Sequence, residues 1–418
     1  SVFADDGTRF EGYSRPQAVH VARAWLSDPS LSRSSAAGYG ARHLGMIAAD
    51  SPDQWTVQGQ YRVLAPIHKV GVDDGAGTVI YISDVSGQVV LRTTRSSRFA
   101  AWFGAIPHWI YVLPLRKHLD LWSSVIIYAS LLATLAALAG LVVGLVRWSP
   151  TRRHRLPEGT RTGVPYRGWK RWHYLSGLVF GVTTVTWMFS GLLSMGPWGW
   201  SPSSSATGEQ VRIVAGGALD LKRFDLPDPA MARCSTAPVA ELELVQFRGR
   251  PYYFLLAANG SSILVEDGDE GSQCVDTLGV EALLAAATAA VPNAKPLATD
   301  LLQRHDVYYY SRAGDRPLPV LRVKFDDVER TWLYLDPRRG TIAARHTARS
   351  RLNRWLFQGF HSFDLPWLYE RRPLWDLLVI TFLLGGLAAS LTGTVIGWQY
   401  LKELSRRGLG RVADRETT

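Results

Sequence analysis

Three histidines stand where an apolar run meets a charged flank. In GAIPHWIYVLPLRKHLDLW, residues 104–122, His108 precedes Arg116, Lys117, His118 and a long apolar stretch. In FQGFHSFDLPWLYERRPLWD, residues 357–376, His361 precedes Arg371, Arg372 and a second such stretch. His173, in KRWHYLSGLVFG, opens a third. Neutral imidazole suits iron, and an ionisable residue at membrane depth is a functional candidate. Two imidazoles facing across a two-fold axis supply the axial pair of a b-type haem. Arg116, Lys117, Arg371 and Arg372 then serve as partners for the haem propionates. His173, with an equivalent from another helix, would hold a second haem near the inner face. Gly177 and Gly181, one turn apart, leave a flat surface for its macrocycle or for a close helix. The bland alternative for each histidine is a polar interfacial side chain. For Gly140, Gly144, Gly393 and Gly397, plain helix packing is the preferred reading.

What must position these residues is a repeat. Trp102, His108, Trp122, Gly140 and Gly144 match Trp355, His361, Trp375, Gly393 and Gly397, each 253 positions on. Pro66, Asp73, Asp74, Thr78, Tyr81, Gly87 and Arg92 match Pro319, Asp326, Asp327, Thr331, Tyr334, Gly340 and Arg345 at the same offset. An ungapped offset over this length points to an internal duplication with a pseudo-two-fold axis. His118 falls opposite Arg371 and is not expected to be a ligand. His20, His43, His68, His154, His305 and His346 are read as solvated or structural. The pairs Asp73–Asp74 and Asp326–Asp327 are read as solvated turns in preference to cation sites.

Composition alone does not choose between a soluble and a membrane protein: 20% of the 418 residues are charged and the net charge is +10. The distribution decides. Residues 121–146, 174–200 and 377–401 carry no charge, and each exceeds the ~20 residues that span a bilayer. Tryptophans edge all three, as interfacial belts require. The basic loop 149–172 and the basic tail 402–418 are expected in the cytoplasm. The helices near 121 and 377 should then be parallel, with the helix near 174 running against them. The expected fold is an α+β membrane protein with antiparallel transmembrane helices and extracytoplasmic α+β modules. Residues 1–101 form the first module, and 102–148 an interfacial segment and a helix. Then come the loop 149–172, the helix 173–200 and the second module, 201–354. A second interfacial segment and helix, 355–401, and the tail 402–418 complete the chain.

Within the modules, Pro16–Leu26 and Leu278–Val291 have helical periods. QWTV, YRVLAPIHKV and GTVIYIS read as strands, as do VYYYSR, PVLRVKF and RTWLYLD. Cys234 and Cys274 fall in the second module, where a disulfide persists, but two buried thiols remain the alternative. The opening SVFADDG resembles SILVEDG, residues 262–268, so a further helix and half a module are expected upstream, giving four helices. No GxGxxG, GxxxxGK[ST], CxxCH or HExxH motif occurs, which argues against a nucleotide-binding module or c-type haem. No basic–aromatic patch suggests nucleic acid as a partner.

WLFQGFHSFDLPWLYERRPLWD, PVLRVKFDDVERTWLYLDPRRG and GAIPHWIYVLPLR together resemble the PepSY-associated transmembrane proteins, over essentially the whole chain. The resemblance implies a four-helix bacterial inner-membrane core with periplasmic PepSY modules. For the ferric-siderophore reductase type, it implies two b haems that carry electrons across the membrane in iron uptake. On that reading His108, His173 and His361 are ligands, a quinol or cytoplasmic flavoprotein is the donor, and a periplasmic ferric chelate is the acceptor. A membrane-anchored PepSY binding, sensing or protease-inhibitor protein without redox activity is the rival.

Overall fold

The structure is a computed structural model that describes residues 11–27, 43–48, 52–148, 154–155, 161–200, 203–225, 227–266, 272–311 and 316–416. The opening SVFADDG and most of the loop 149–160 lie outside the described residues. The chain forms two compact units, Ser1–Ala129 and Ser130–Thr418.

In the first unit, helix α1 (Arg15–Ser27) lays Ala18 and Ala22 on a four-stranded antiparallel sheet. The order is β1 (Leu44–Ala48), β2 (Ile67–Val72), β3 (Val79–Ser83), β4 (Val89–Thr93). Small residues one turn apart let the helix approach Val70, Val72, Ile80 and Ile82, which form the core. At the end of β4, Thr94 and Ser97 make a capping box that opens α2 (Arg95–Phe103). The short α3 (Ala105–Trp109) follows, and Ile110 turns the chain in a left-handed conformation. Helix α4 (Leu119–Arg147) continues into the second unit.

The second unit contains α5 (Gly168–Ser194) and α6 (Gly208–Ala215), then a meander of β5 (Val239–Phe247), β6 (Arg250–Ala257), β7 (Ser262–Glu266) and β8 (Gln273–Val275). Helix α7 (Val280–Ala290) leads into a second meander of β9 (Pro296–Leu302), β10 (Val320–Phe325), β11 (Trp332–Asp336) and β12 (Thr341–His346). Leu283, Ala286, Ala287 and Ala290 of α7 pack with Phe247, Phe254, Val323 and Leu335 in one core. Cys234 and Cys274 are joined by a disulfide, which decides between the two alternatives left open above. Helix α8 (Ala348–Asn353), a π-helical turn over Arg354–Gly359 and α9 (Leu374–Glu416) complete the unit. Among the described residues three helices, Leu119–Arg147, Gly168–Ser194 and Leu374–Arg406, are long and apolar enough to cross a membrane.

Two sequence expectations fail for one reason. QWTV is a turn and residues 307–311 of VYYYSR form a bend, not strands, with Arg312 outside the described residues. Asp53 accepts the backbone N–H groups of Trp55 and Thr56, and Asp306 accepts those of Tyr308 and Tyr309. An aspartate that bonds two and three residues on curls the chain out of the extended form. YRVL also departs from a strand, because Gly59–Arg62 make a helical turn.

Several local arrangements recur 253 residues apart. Lys69 pairs with Tyr81 across β2 and β3, and Arg322 with Tyr334 across β10 and β11; the bulge follows Tyr81 in one sheet and Tyr334 in the other. Tyr81 donates to Asp53, and Tyr334 donates to Asp306. Asp74 caps the backbone of Thr78, as Asp327 caps that of Thr331, so one member of each acidic pair serves its turn. Thr347 and Ser350 repeat the capping box of Thr94 and Ser97. Phe363 takes the left-handed conformation of Ile110. The Trp122 indole donates to the carbonyls of Trp109 and Ile110, and that of Trp375 to those of Ser362 and Phe363.

Candidate functional site

Three helical segments of the second unit build the site. Tyr174 of α5 donates to the Gly144 carbonyl of α4 at 2.9 Å, and Gly181 lies under Leu141, which a Cβ would meet at 2.9 Å. As α5 advances, its neighbours on α4 run backwards, so the two are antiparallel. On the other side Phe180 lies directly over Gly385 and Trp187 beside Gly386, while His173 meets Gly393. Helix α9 is therefore antiparallel to α5 as well. Glycine is needed at 385, because any Cβ there would run into the Phe180 ring.

His173 sits near the start of α5. Its Nδ1 is 3.1 Å from the Ala389 carbonyl and 3.2 Å from the Thr392 hydroxyl, both on α9. The carbonyl can only accept, so it selects the tautomer with the proton on Nδ1. Nε2 then carries the lone pair and makes no hydrogen bond among the described residues. Gly393 permits this approach, since a Cβ there would sit 3.2 Å from Cε1 of the imidazole.

The same imidazole lines a cavity of ≈ 480 Å³ between α4 and α5, with Gly140, Gly144, Gly177, Tyr166 and Lys170. A Cβ at Gly140 or Gly177 would meet nothing within 4 Å, so both glycines face open space. Gly177 presents a bare surface to the cavity. Gly140, expected to serve packing, lines the cavity too, whereas Gly181 holds α4 and α5 close. Apolar walls with one histidine and a few polar groups at one end are the usual make-up of a cofactor pocket. A flat, apolar macrocycle with acidic substituents fits this donor set: His173 as ligand, glycines against the ring, Lys170 toward the acids.

His361 follows the π-helical turn. Its Nδ1 lies 2.9 Å from the hydroxyl of Ser190 on α5, and its ring stacks on Phe357 at 5.2 Å. The Ser190 hydroxyl also lies 3.1 Å from the Trp187 carbonyl, to which it donates, so it accepts from the imidazole. The segment is anchored by Arg354 and Asp364, paired at 3.3 Å with side chains only 5% and 3% exposed, and Tyr310 donates to Asp364 at 2.7 Å. A π turn beside a functional side chain is a frequent association. Between His173 and Ser190, α5 rises about 25 Å at 1.5 Å per residue, so the two histidines are held near opposite ends of one helix.

His108 belongs to the first unit, where it is exposed and lies edge-on to Trp109 at 6.1 Å. Arg116 lies over the Trp122 ring at 3.9 Å, and Arg372 over the Trp375 ring at 4.5 Å while pairing with Asp376. Arg371, Lys117 and His118 are exposed. His68 and His346 are buried, consistent with structural roles. Among the described residues no three His, Cys, Asp or Glu side chains gather as a metal site; axial haem ligation needs no such cluster.

Ser190, Ala389 and Thr392 escaped the sequence reading. A backbone carbonyl leaves no trace in residue type, and hydroxyls inside apolar helices are common without function. Compared with protein-family models and with curated protein sequences, the chain matches none.

Proposed function

We propose that the protein is a multi-pass inner-membrane electron-transfer protein of the PepSY-associated type that binds b haem. His173 holds a haem near the cytoplasmic face, and His108 with His361 holds one at the outer face. A quinol or cytoplasmic flavoprotein is the donor, and a periplasmic ferric chelate such as a siderophore is the acceptor. The observation that carries the reading is His173: its Nδ1 is tied to the α9 backbone, while its ring lines a glycine-floored apolar cavity. Orienting a ligand through its second nitrogen is the usual outer-shell device of metal-bound imidazole. The anchoring of His361 on Ser190, near the other end of the same helix, supports a second site. Bound haem supplies the one-electron chemistry; the chain fixes the imidazoles, excludes water and provides the cations.

The hydrogen bonds that recur 253 residues apart support an internal duplication, with 55–148 and 308–401 as equivalent substructures. The excess of cations in the loop 149–172 and the tail 402–418 argues that both face the cytoplasm. The absorption spectrum of the full-length protein, purified from haem-replete cells, tests the function. A Soret band that falls in H173A and in H361A, but not in H118A, is expected. A preparation with no Soret band that also fails to take up added haemin refutes it and leaves the PepSY binding or sensing alternative.

A further inference from the structure

A second cavity lies among the two meanders of the second unit. This cleft of ≈ 600 Å³ is lined by Arg316, Arg338, Arg339, Tyr309 and Asp336, with Phe254 and Ser262 from the other meander. Arg339 is fixed, paired with Glu243 at 2.7 Å and lying over Phe254 at 4.1 Å. Arg338 has no ion-pair partner among the described residues. Arg316 lies over the Tyr309 ring at 5.2 Å, and its Nη1 is buried without a hydrogen-bond partner among the described residues. Asp336 is the counter-charge in the lining, and it accepts the Arg338 backbone N–H at 2.8 Å. Burial raises the pKa of its carboxyl, with the Arg338 backbone N–H and the charges of Arg339 and Arg338 opposing.

The fold does not require these cations. Counting back 253 positions, Arg316, Arg338 and Arg339 become Val63, Val85 and Ser86, Asp336 becomes Ser83, and Tyr309 becomes Thr56. The first unit closes the same strand–turn–strand with none of those charges or that ring. An orphaned buried guanidinium N–H is costly unless a ligand or water completes it. Guanidinium forks match planar oxyanions in pairs of bonds.

We propose that this cleft binds a small multivalent oxyanion, a soluble compound with at least two carboxylate or phosphate groups, between Arg316 and Arg338. The site is independent of haem.

Calorimetric titration of the full-length protein in detergent, with citrate and separately with pyrophosphate, tests the proposal. Saturable binding of at least one is expected, weakening as salt is raised. R338Q should weaken it about tenfold or more, R316Q/R338Q should abolish it, and H173A should leave it intact. Binding of citrate alone identifies carboxylates as the ligand groups, and binding of pyrophosphate alone identifies phosphates. Arg338 is partly exposed in a turn, so R338Q retains the fold even where R316Q does not. No saturable binding of either anion, or equal affinity in the wild type and R338Q, overturns the proposal.

Discussion

Gly177→Leu separates a cofactor cavity from a packing fault. Gly177 lies in the interior of α5, where glycine costs about 1 kcal/mol relative to a good helix former. A Cβ at this position meets nothing within 4 Å, so leucine adds no clash at its root. Its remaining carbons enter the ≈ 480 Å³ cavity beside His173. Stability should therefore stay level or rise by up to about 1 kcal/mol. Haem content, measured as pyridine haemochrome per protein, should fall by about half as the inner site is filled. Gly181→Leu makes the contrast. Its Cβ starts 2.9 Å from Leu141, and overpacking of this kind costs about 1–3 kcal/mol. That variant should lose stability along with haem. Wild-type haem content in a well-folded G177L protein would show that the cavity is not a haem site, and the inner half of the function would fall with it.

Other perturbations address the supporting structure. Asp364→Asn leaves the buried Arg354 unpaired and should cost roughly 3–5 kcal/mol in thermal unfolding, whereas R354L/D364L should cost less; equal losses would deny the pair its role. The Cys234–Cys274 disulfide closes a loop 40 residues long, so its removal by C234S/C274S should cost roughly 4 kcal/mol by loop entropy; maleimide labelling of both thiols in the untreated wild type would refute the bridge. Burial, then the nearby Arg316, pushes the His346 imidazole down to about 4, with Asp306 opposing and Arg351 assisting. The unfolded chain takes up this proton near pH 6.5 and the folded chain only near 4, so stability falls as pH drops through that window, by up to roughly 3 kcal/mol. H346Q should flatten the part of the profile due to His346, and an unchanged difference between pH 7 and pH 4.5 would deny that contribution.

The spans were legible because a run of more than 20 residues without a charge is rare outside a bilayer. Their ends were less so. Helix α5 begins at Gly168 rather than 173, since Trp169, Lys170 and Arg171 continue the helix despite their polarity. Helix α9 runs on through what reads as a tail. Of the β5–β8 meander only the hairpin end in SILVEDG was read, although Asn259–Gly260 is strong hairpin punctuation. The histidines could be picked out by type and spacing, but not their anchors. Ser190 and His361 are 171 residues apart, and the Ala389 carbonyl is a property of every residue.

The most informative positions are those where the 253-residue correspondence fails. Where it holds, at Asp53 and Asp306, Tyr81 and Tyr334, Trp122 and Trp375, the residues close turns and seat indoles. These are tasks that any copy of the substructure must perform. Where it fails in front of His361 and just after it, charge enters one copy alone. Ala101 becomes Arg354 and Tyr111 becomes Asp364, and the regular helix α2 gives way to a π turn in front of His361. A buried ion pair contributes little net stability, because desolvation offsets most of its attraction. Its presence in one copy therefore needs another reason, and a fixed orientation for His361 supplies one. The copy that carries His108 has Ala101 and Tyr111 in place of that pair. If both histidines serve one haem, they do so unequally: D364N should shift the midpoint potential of the outer site, while Tyr111→Phe leaves it in place. Equal small shifts in both variants would make the asymmetry incidental.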